Sequence, residues 1–446
     1  MNKQLIKNAR LVNEGRTVEC DVLVVGERIE KIAAGIAADD STAVVEADGA
    51  VLMPGMIDDQ VHFREPGLTY KGDLATESAA AVAGGITSFM DMPNVSPQTT
   101  TREAMRAKYA IAEGRCTANY GFHFGATNSN IEEIRALELD EACGIKAFMG
   151  ASTGDMLVDD PEALDKLFEH APVIVLTHCE DSPMIREAER AARARYGDDV
   201  PMSEHPSIRS ADACLKSSTL ATTLASKHDA LLHVLHLTTE IEMDLFETGS
   251  RHDKRITAEV CVHHLWFDET RYAELGTLIK CNPAIKRPAD RAALLKALND
   301  GRIDVIATDH APHTAEEKAN SYFLAPAGLP LVQHAVPLLF DLAARGEITL
   351  ELLVDKACHA SADLFGVVDR GYVREGYFAD LVLIDPDKPQ LVSTDNLLAK
   401  CQWSPFEGHR FSASVAKTFV NGTLVYEDGA LTGAVAGQRL HCRRAR

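Results

Sequence analysis

Two kinds of apolar–polar patterning divide this chain into an end, a middle and an end. Residues 4–12, 21–25 and 28–32 read as short strands, with Gly26-Glu27 at a hairpin turn. Near the other end, residues 379–384 form an apolar strand after a turn at Gly376, and residues 416–420 pair with 423–426 across Asn421-Gly422. Neither end has enough strands to bury a core alone. Together they are expected to build one small β-sandwich.

Between them, short apolar runs alternate with helical stretches, the signature of a parallel sheet. Strands are expected at 51–57, 86–92, 119–126, 144–148, 173–178, 230–236, 256–262 and 303–309, with helices such as 73–83, 102–113 and 290–298. Eight such units predict an α/β chain: a (β/α)8 barrel of the TIM type over residues 54–370, flanked by a sandwich made of residues 1–53 and 371–446. A length of 446 residues accommodates both parts.

The composition is that of a soluble globular enzyme, with 46% hydrophobic and 25% charged residues. A net charge of -21 argues against a nucleic-acid partner, which would require clustered Lys and Arg. The basic residues Arg443, Arg444 and Arg446 are read as a solvated tail. The 10 cysteines are scattered singly, which fits reduced thiols in the cytoplasm rather than a disulfide frame. Residues 1–14 lack the apolar core of a signal peptide, and no run reaches the roughly 18–20 apolar residues of a membrane span.

The informative feature is where polar residues interrupt the apolar strands. His62, Lys146, His178, His236 and Asp309 all fall at or just beyond C-terminal strand ends, the face on which barrel enzymes carry their chemistry. Alternation along the first strand points Asp58, Gln60 and His62 one way and Asp59 and Val61 the other. Each histidine alone is compatible with a satisfied core residue, and His233, at odd spacing from His236, is read as one. Lys146 lies in an apolar run, so its ammonium is either ion-paired or converted by CO2 into an anionic carbamate able to bridge two metals. Three imidazoles and two anionic oxygens suit one or two Zn2+ ions. Such an ion lowers the pKa of bound water to roughly 7, and Asp309 can take that water's proton and pass it on.

Longer motifs then carry a resemblance. Gln60-Val61-His62-Phe63-Arg64-Glu65-Pro66-Gly67, Asp91-Met92-Pro93-Asn94, Thr257-Ala258-Glu259-Val260 before His263-His264, Asn282-Pro283, Ala307-Thr308-Asp309-His310-Ala311-Pro312-His313 and the run 376–385 resemble, in order, the dihydroorotases of the amidohydrolase superfamily. The resemblance implies reversible hydrolysis of dihydroorotate to N-carbamoyl-aspartate in pyrimidine synthesis. It implies metal ligation by His62, His178, His236 and Asp309, with Asp309 also the acid/base. It matches Lys146 to the carbamylated lysine of one branch; another branch uses a nearby aspartate. Arg64, Asn94, Asn282, His313 and the backbone at Ala327-Gly328 would hold the small-molecule substrate. A mobile lid would lie at residues 151–155, with Thr153 on the substrate. A homodimer is expected by analogy.

One residue departs from the family pattern. The first strand normally reads His-x-His, whereas here it reads Gln60-Val61-His62. A neutral amide oxygen is a weaker ligand than imidazole, so the strand-one metal is expected to bind more loosely than the one shared by Lys146, His178 and His236. Three outcomes stay open: two metals with Gln60 a poor ligand, one retained metal, or a non-catalytic relative. Retained catalysis with one to two Zn2+ per chain is expected. The alternatives are another cyclic amide hydrolase, such as an allantoinase or hydantoinase, and a non-catalytic scaffold for aspartate transcarbamoylase.

Overall fold

The computed structural model describes residues 3–150 and 156–444. Five strands open the chain: β1 (Lys3–Asn13), β2 (Arg16–Val25), β3 (Arg28–Ala33), β4 (Thr42–Glu46) and β5 (Val51–Pro54). Strand β1 pairs antiparallel with β2 and parallel with β4 and β5. Its consecutive apolar residues Leu5-Ile6 and Leu11-Val12 are all buried, so both faces of this strand are covered: Leu11 packs in the cluster of the β-domain and Val12 in that of the barrel.

The barrel follows: β6 (Met56–Val61), β7 (Ile86–Asp91), β8 (Asn119–Phe122), β9 (Phe124–Gly125), β10 (Ile145–Phe148), β11 (Val175–His178), β12 (Leu232–Val234), β13 (Ile256–Cys261) and β14 (Val305–Ala307). Paired neighbours in this set run parallel. A parallel bridge between Val61 and His310, with the His62 amide donating to His310 O at 2.7 Å, joins the last strand to the first. Helices cover the outside, so the strands are buried on both faces and read as continuous apolar runs. The expected helices are present as Leu74–Ala83, Arg102–Ala112 and Pro288–Asp300. Asp73 caps the first by accepting from the Ala75 and Thr76 amides. The third starts earlier than expected, at a proline, which the first helical turn tolerates because its N–H would have no partner there anyway.

Three details of the barrel differ from the sequence reading. The first expected strand, 51–57, is divided: β5 pairs within the terminal sheet, and the barrel strand β6 begins at Met56 and runs to Val61. The third strand, expected as one run, is split into β8 and β9 at His123, whose Nε2 donates to Asp59 O at 2.9 Å. The pairing of β6 with β7 also shifts register between Asp58 and Val61. Strict alternation would turn Asp59 away from Gln60. Instead Asp59 meets His233 and Glu259, on strands that do not neighbour β6, while Gln60 meets Asp309. Both side chains therefore enter the barrel, because an irregular register places consecutive residues on one side.

After the barrel come β15 (Leu381–Asp385), β16 (Gln390–Leu391), β17 (Arg410–Phe411), β18 (Ser414–Val420), β19 (Thr423–Glu427) and β20 (Ala430–Leu431). Strand β15 pairs with both β5 and β18, so the two termini form the β-domain together, as one nine-stranded sheet. Ile6, Leu11, Val22, Ile29, Leu52, Leu381 and Phe419 form part of its own buried cluster. The chain then returns to the barrel: Tyr120 donates to Gln438 O at 3.0 Å, and Leu440 donates to Tyr120 O at 2.7 Å. This return corrects the reading of a wholly solvated basic tail. Arg443 is exposed, but Arg444 is half-buried with its guanidinium on Leu364 O at 3.0 Å; Arg446 lies outside the described residues. All ten cysteines are buried free thiols. Among the described residues no helix is long and apolar enough to cross a membrane.

Candidate active site

Five of the singled-out residues lie at the C-terminal strand ends. Lys146 lies within β10 and His178 ends β11; His62 follows β6 by one residue, while His236 and Asp309 follow β12 and β14 by two. Three residues here hold left-handed backbone: Arg64 (φ 70), His236 (φ 39) and Asp309 (φ 50). Non-glycine residues seldom adopt this region, and when they do the surrounding structure holds them there. For His236 the hold is visible, since its amide donates to Glu259 Oε1 at 2.9 Å.

A cavity of about 220 Å3 opens on this face. Its lining brings together every residue expected there: Gln60, His62, Arg64, Asn94, Lys146, His178, His236, Asn282, Asp309, His313, Ala327 and Gly328, joined by Phe148, Ala311 and Pro326. The expected lid at 151–155, with Thr153, falls outside the described residues.

On one side of the cavity two imidazoles converge. His178 Nδ1 and His236 Nε2 are 3.0 Å apart, and burial lowers the pKa of both rings, which keeps them neutral. His178 Nε2 donates to Glu180 Oε2 at 2.9 Å, so its Nδ1 presents a lone pair. Arg209 in turn pairs with Glu180. Burial alone would raise the Glu180 carboxyl, but the Arg209 charge and the His178 contact bring it down to about 2. Glu180 and Arg209 were not identified from the sequence; a carboxylate two residues beyond a strand-end histidine was the available signal.

On the other side, Asp309 Oδ1 lies 3.1 Å from both His62 Nε2 and Gln60 Nε2. His62 Nδ1 lies 2.8 Å from Asn94 Oδ1, which places its Nε2 against Asp309. Burial would raise the Asp309 carboxyl, yet His62, with His263 and Lys146, holds it below its ordinary value. Gln60 Oε1 is buried with no hydrogen-bond partner. Burial lowers the Lys146 amine to about 8 despite the charges of Asp309 and Glu259. Imidazoles, a carboxylate and an unclaimed amide oxygen lining one space are a donor set that fits a divalent cation.

The outer wall carries the cationic and amide groups. Arg64 Nε donates to Pro312 O at 3.0 Å; burial brings its guanidinium down to about 10, still charged at neutral pH. Lys71 Nζ lies 3.0 Å from His313 Nδ1, while His313 Nε2 lies 3.0 Å from Ala327 O and 3.1 Å from Arg64 Nη2. Burial, with Arg64, Lys71 and Lys318 nearby, drives the His313 pKa far down, so this ring is neutral. Lys318 Nζ donates to Pro326 O at 3.0 Å and Gly328 O at 2.9 Å, holding the 326–328 segment against the cavity. Gly328 has φ +143, and a Cβ there would lie 2.4 Å from Ala311 O, so this approach requires glycine.

Comparison with known proteins agrees with this arrangement. The amidohydrolase family matches residues 51–425. The chain is 36% identical over 427 residues to the dihydroorotase of Halobacterium salinarum, an alignment spanning 94% of this chain and 96% of that one. It is 33% identical to the dihydroorotase of Bacillus subtilis, with 96% and 99% covered. Among solved structures, the L-hydantoinase (dihydropyrimidinase) from Arthrobacter aurescens superposes with a TM-score of 0.93 at 26% identity, covering 99% of this chain and 100% of that one. With its motifs in order and its barrel face assembled as described, this chain belongs to the amidohydrolase family, among the dihydroorotases.

Proposed function

We propose that this chain is a metal-dependent dihydroorotase, hydrolysing dihydroorotate reversibly to N-carbamoyl-aspartate. The observation that carries the reading is a charged, buried Arg64 facing the same small cavity as the imidazole and carboxylate cluster. Dihydroorotate presents a ring carboxylate beside its cyclic imide. A planar guanidinium grips a carboxylate through two hydrogen bonds, while Asn94, Asn282, His313 and the backbone at Ala327 and Gly328 complete the pocket.

His178, His236 and Lys146 would hold one Zn2+, and His62, Asp309 and Gln60 a second, weaker one. Zn2+ bound there supplies a Lewis acid that polarises the ring carbonyl and acidifies a water it binds. Asp309 Oδ1 is engaged by Gln60 and His62, so Oδ2 is the atom that takes the water's proton. Oxygen adds to the ring carbonyl carbon, the ring C–N bond breaks, and Oδ2 returns the proton to the departing nitrogen. Lys146 would contribute as a carbamate, formed when its neutral amine adds to CO2 and releases a proton to solvent. Burial keeps that amine accessible in neutral form near physiological pH.

The remaining parts of the reading are a cytoplasmic homodimer and a barrel spanning residues 54–370 between two terminal contributions to the β-domain. Hydantoinase-type substrates lack the ring carboxylate, which separates them by experiment. Arg64→Ala should lower kcat/KM on dihydroorotate by about a hundredfold, the loss of two charge-assisted bonds at roughly 1.5 kcal/mol each. A drop confined to severalfold, or equal loss on an uncharged hydantoin, contradicts the assignment. Metal analysis should give between one and two Zn2+ per chain, and Gln60→His should raise occupancy of the weaker site. A metal-free, inactive protein would instead fit the scaffold role.

A further inference from the structure

Deeper in the barrel than the cavity, three side chains from three strands meet away from all water: Asp59 on β6, His233 on β12 and Glu259 on β13, each 0% exposed. One donor atom from each lies within 4.8 Å of the other two. His233 Nε2 is 3.4 Å from Asp59 Oδ2 and 3.7 Å from Glu259 Oε2. N–H···O hydrogen bonds generally span 2.7–3.2 Å, so neither contact is one. Both oxygens of Asp59, Oε2 of Glu259 and Nε2 of His233 have no hydrogen-bond partner.

The protonation pattern follows from the neighbours. Thr257 Oγ1 donates its one proton to Leu232 O at 3.2 Å, and it lies 2.8 Å from His233 Nδ1. The hydroxyl must therefore accept from Nδ1–H. Burial would lower the His233 ring, but Asp59 and Glu259 beside Nε2 raise it to about 9, so without another cation Nε2 carries a proton between the two carboxylates. Glu259 Oε1 is occupied by the amide of His236 at 2.9 Å. Two buried carboxylates thus flank one imidazole at separations longer than a hydrogen bond. Buried charges in proteins are paired or coordinate metals. Imidazole nitrogen and carboxylate oxygen are also zinc ligands, at about 2.0–2.2 Å each. Two donors bound at such lengths lie about 3.3 Å apart, near the separations from His233 to its two partners.

We propose that Asp59, His233 and Glu259 form a second, closed divalent-cation site, structural in role and separate from the cavity above. Asp59 and Glu259 contribute carboxylate oxygens and His233 its Nε2, which gives up its proton as the ion enters, so the two carboxylates neutralise the ion. The ion would tie three barrel strands together. Through Glu259 it would also hold the left-handed backbone of His236, one of the cavity's imidazoles. The site is independent of the substrate assignment, because it has no opening to the cavity contents.

The test is anomalous diffraction at the zinc edge from crystals of the full chain equilibrated with Zn2+. The expected result is a peak bonded to Asp59, His233 and Glu259, resolved from any peak at His178 and His236. His178→Ala should abolish the upper peak and leave the lower. A map with the upper peak alone, or with a water or nothing among the three residues, overturns the proposal and leaves a shared proton as the occupant. As a solution measure, Asp59→Asn should lower bound zinc by one equivalent per chain in protein that retains its far-UV circular dichroism. Unchanged stoichiometry in that folded variant overturns it equally. If the variant does not fold, the wild-type map decides.

Discussion

Lys146 is an amine with almost no water around it, and this sets when it can react. Burial lowers its pKa from 10.5 to about 8. Only the neutral form adds to CO2, and below the pKa that form falls tenfold per pH unit. About a tenth of the amine is neutral at pH 7 and about three quarters at pH 8.5. At fixed dissolved CO2, chelator-treated protein should form the 13C-carbamate NMR signal about eightfold faster at pH 8.5 than at pH 7. A rate that does not change over this interval would mean that Lys146 is not the group carbamylated. The sequence already marked Lys146 as a polar interruption of an apolar run. Its basicity was not legible, because it depends on the full depth of burial and on Asp309 and Glu259, which come from β14 and β13. The same holds for Glu180: its position beside His178 is local, but its pairing with Arg209 is tertiary.

Among elements, the 326–328 segment shows how a loop without regular structure keeps its place at a binding surface. Lys318, from the short helix Ala315–Lys318, is 0% exposed and donates to three carbonyls: Lys280 O at 3.2 Å, Pro326 O at 3.0 Å and Gly328 O at 2.9 Å. Lys318→Met keeps the stem's volume and removes the three bonds. Each buried carbonyl left without a partner costs about 1–3 kcal/mol, so the segment should shift and KM for dihydroorotate should rise at least tenfold with a smaller change in kcat. Unchanged KM would show that the Gly328 constraint alone positions the segment. Existence and order of the strands were legible from apolar runs, and most ends fell within two or three residues. The β6 irregularity and the break at His123 were not, because both arise from partners far along the chain. Alternation is a rule for a regular ladder, and here the ladder slips.

For the whole molecule, the two termini are the fastening. Residues from both ends share one sheet, and the C-terminal stretch then crosses back to β8, where Leu440 is 1% exposed and packs in a cluster with Cys143 and Val367. Leu440→Ala should lower unfolding stability by about 2–4 kcal/mol, the usual range for a buried leucine truncation. Urea melts of the two proteins measure it, and a loss under 1 kcal/mol would mean that the C-terminal return is a loose wrapping rather than part of the core. The sequence by itself determined what is local or periodic: eight apolar runs in a βα rhythm, terminal strands too few to stand alone, and polar residues at strand ends that name the chemistry. Only the tertiary structure decided which of those residues share a cavity, which carboxylate steadies which histidine, and that Asp59 turns inward beside His233 and Glu259. The reason is physical. Periodicity reports which face of an element is buried, whereas charge state and hydrogen-bond partnership depend on atoms that closure of the barrel brings within a few ångströms from opposite ends of the chain.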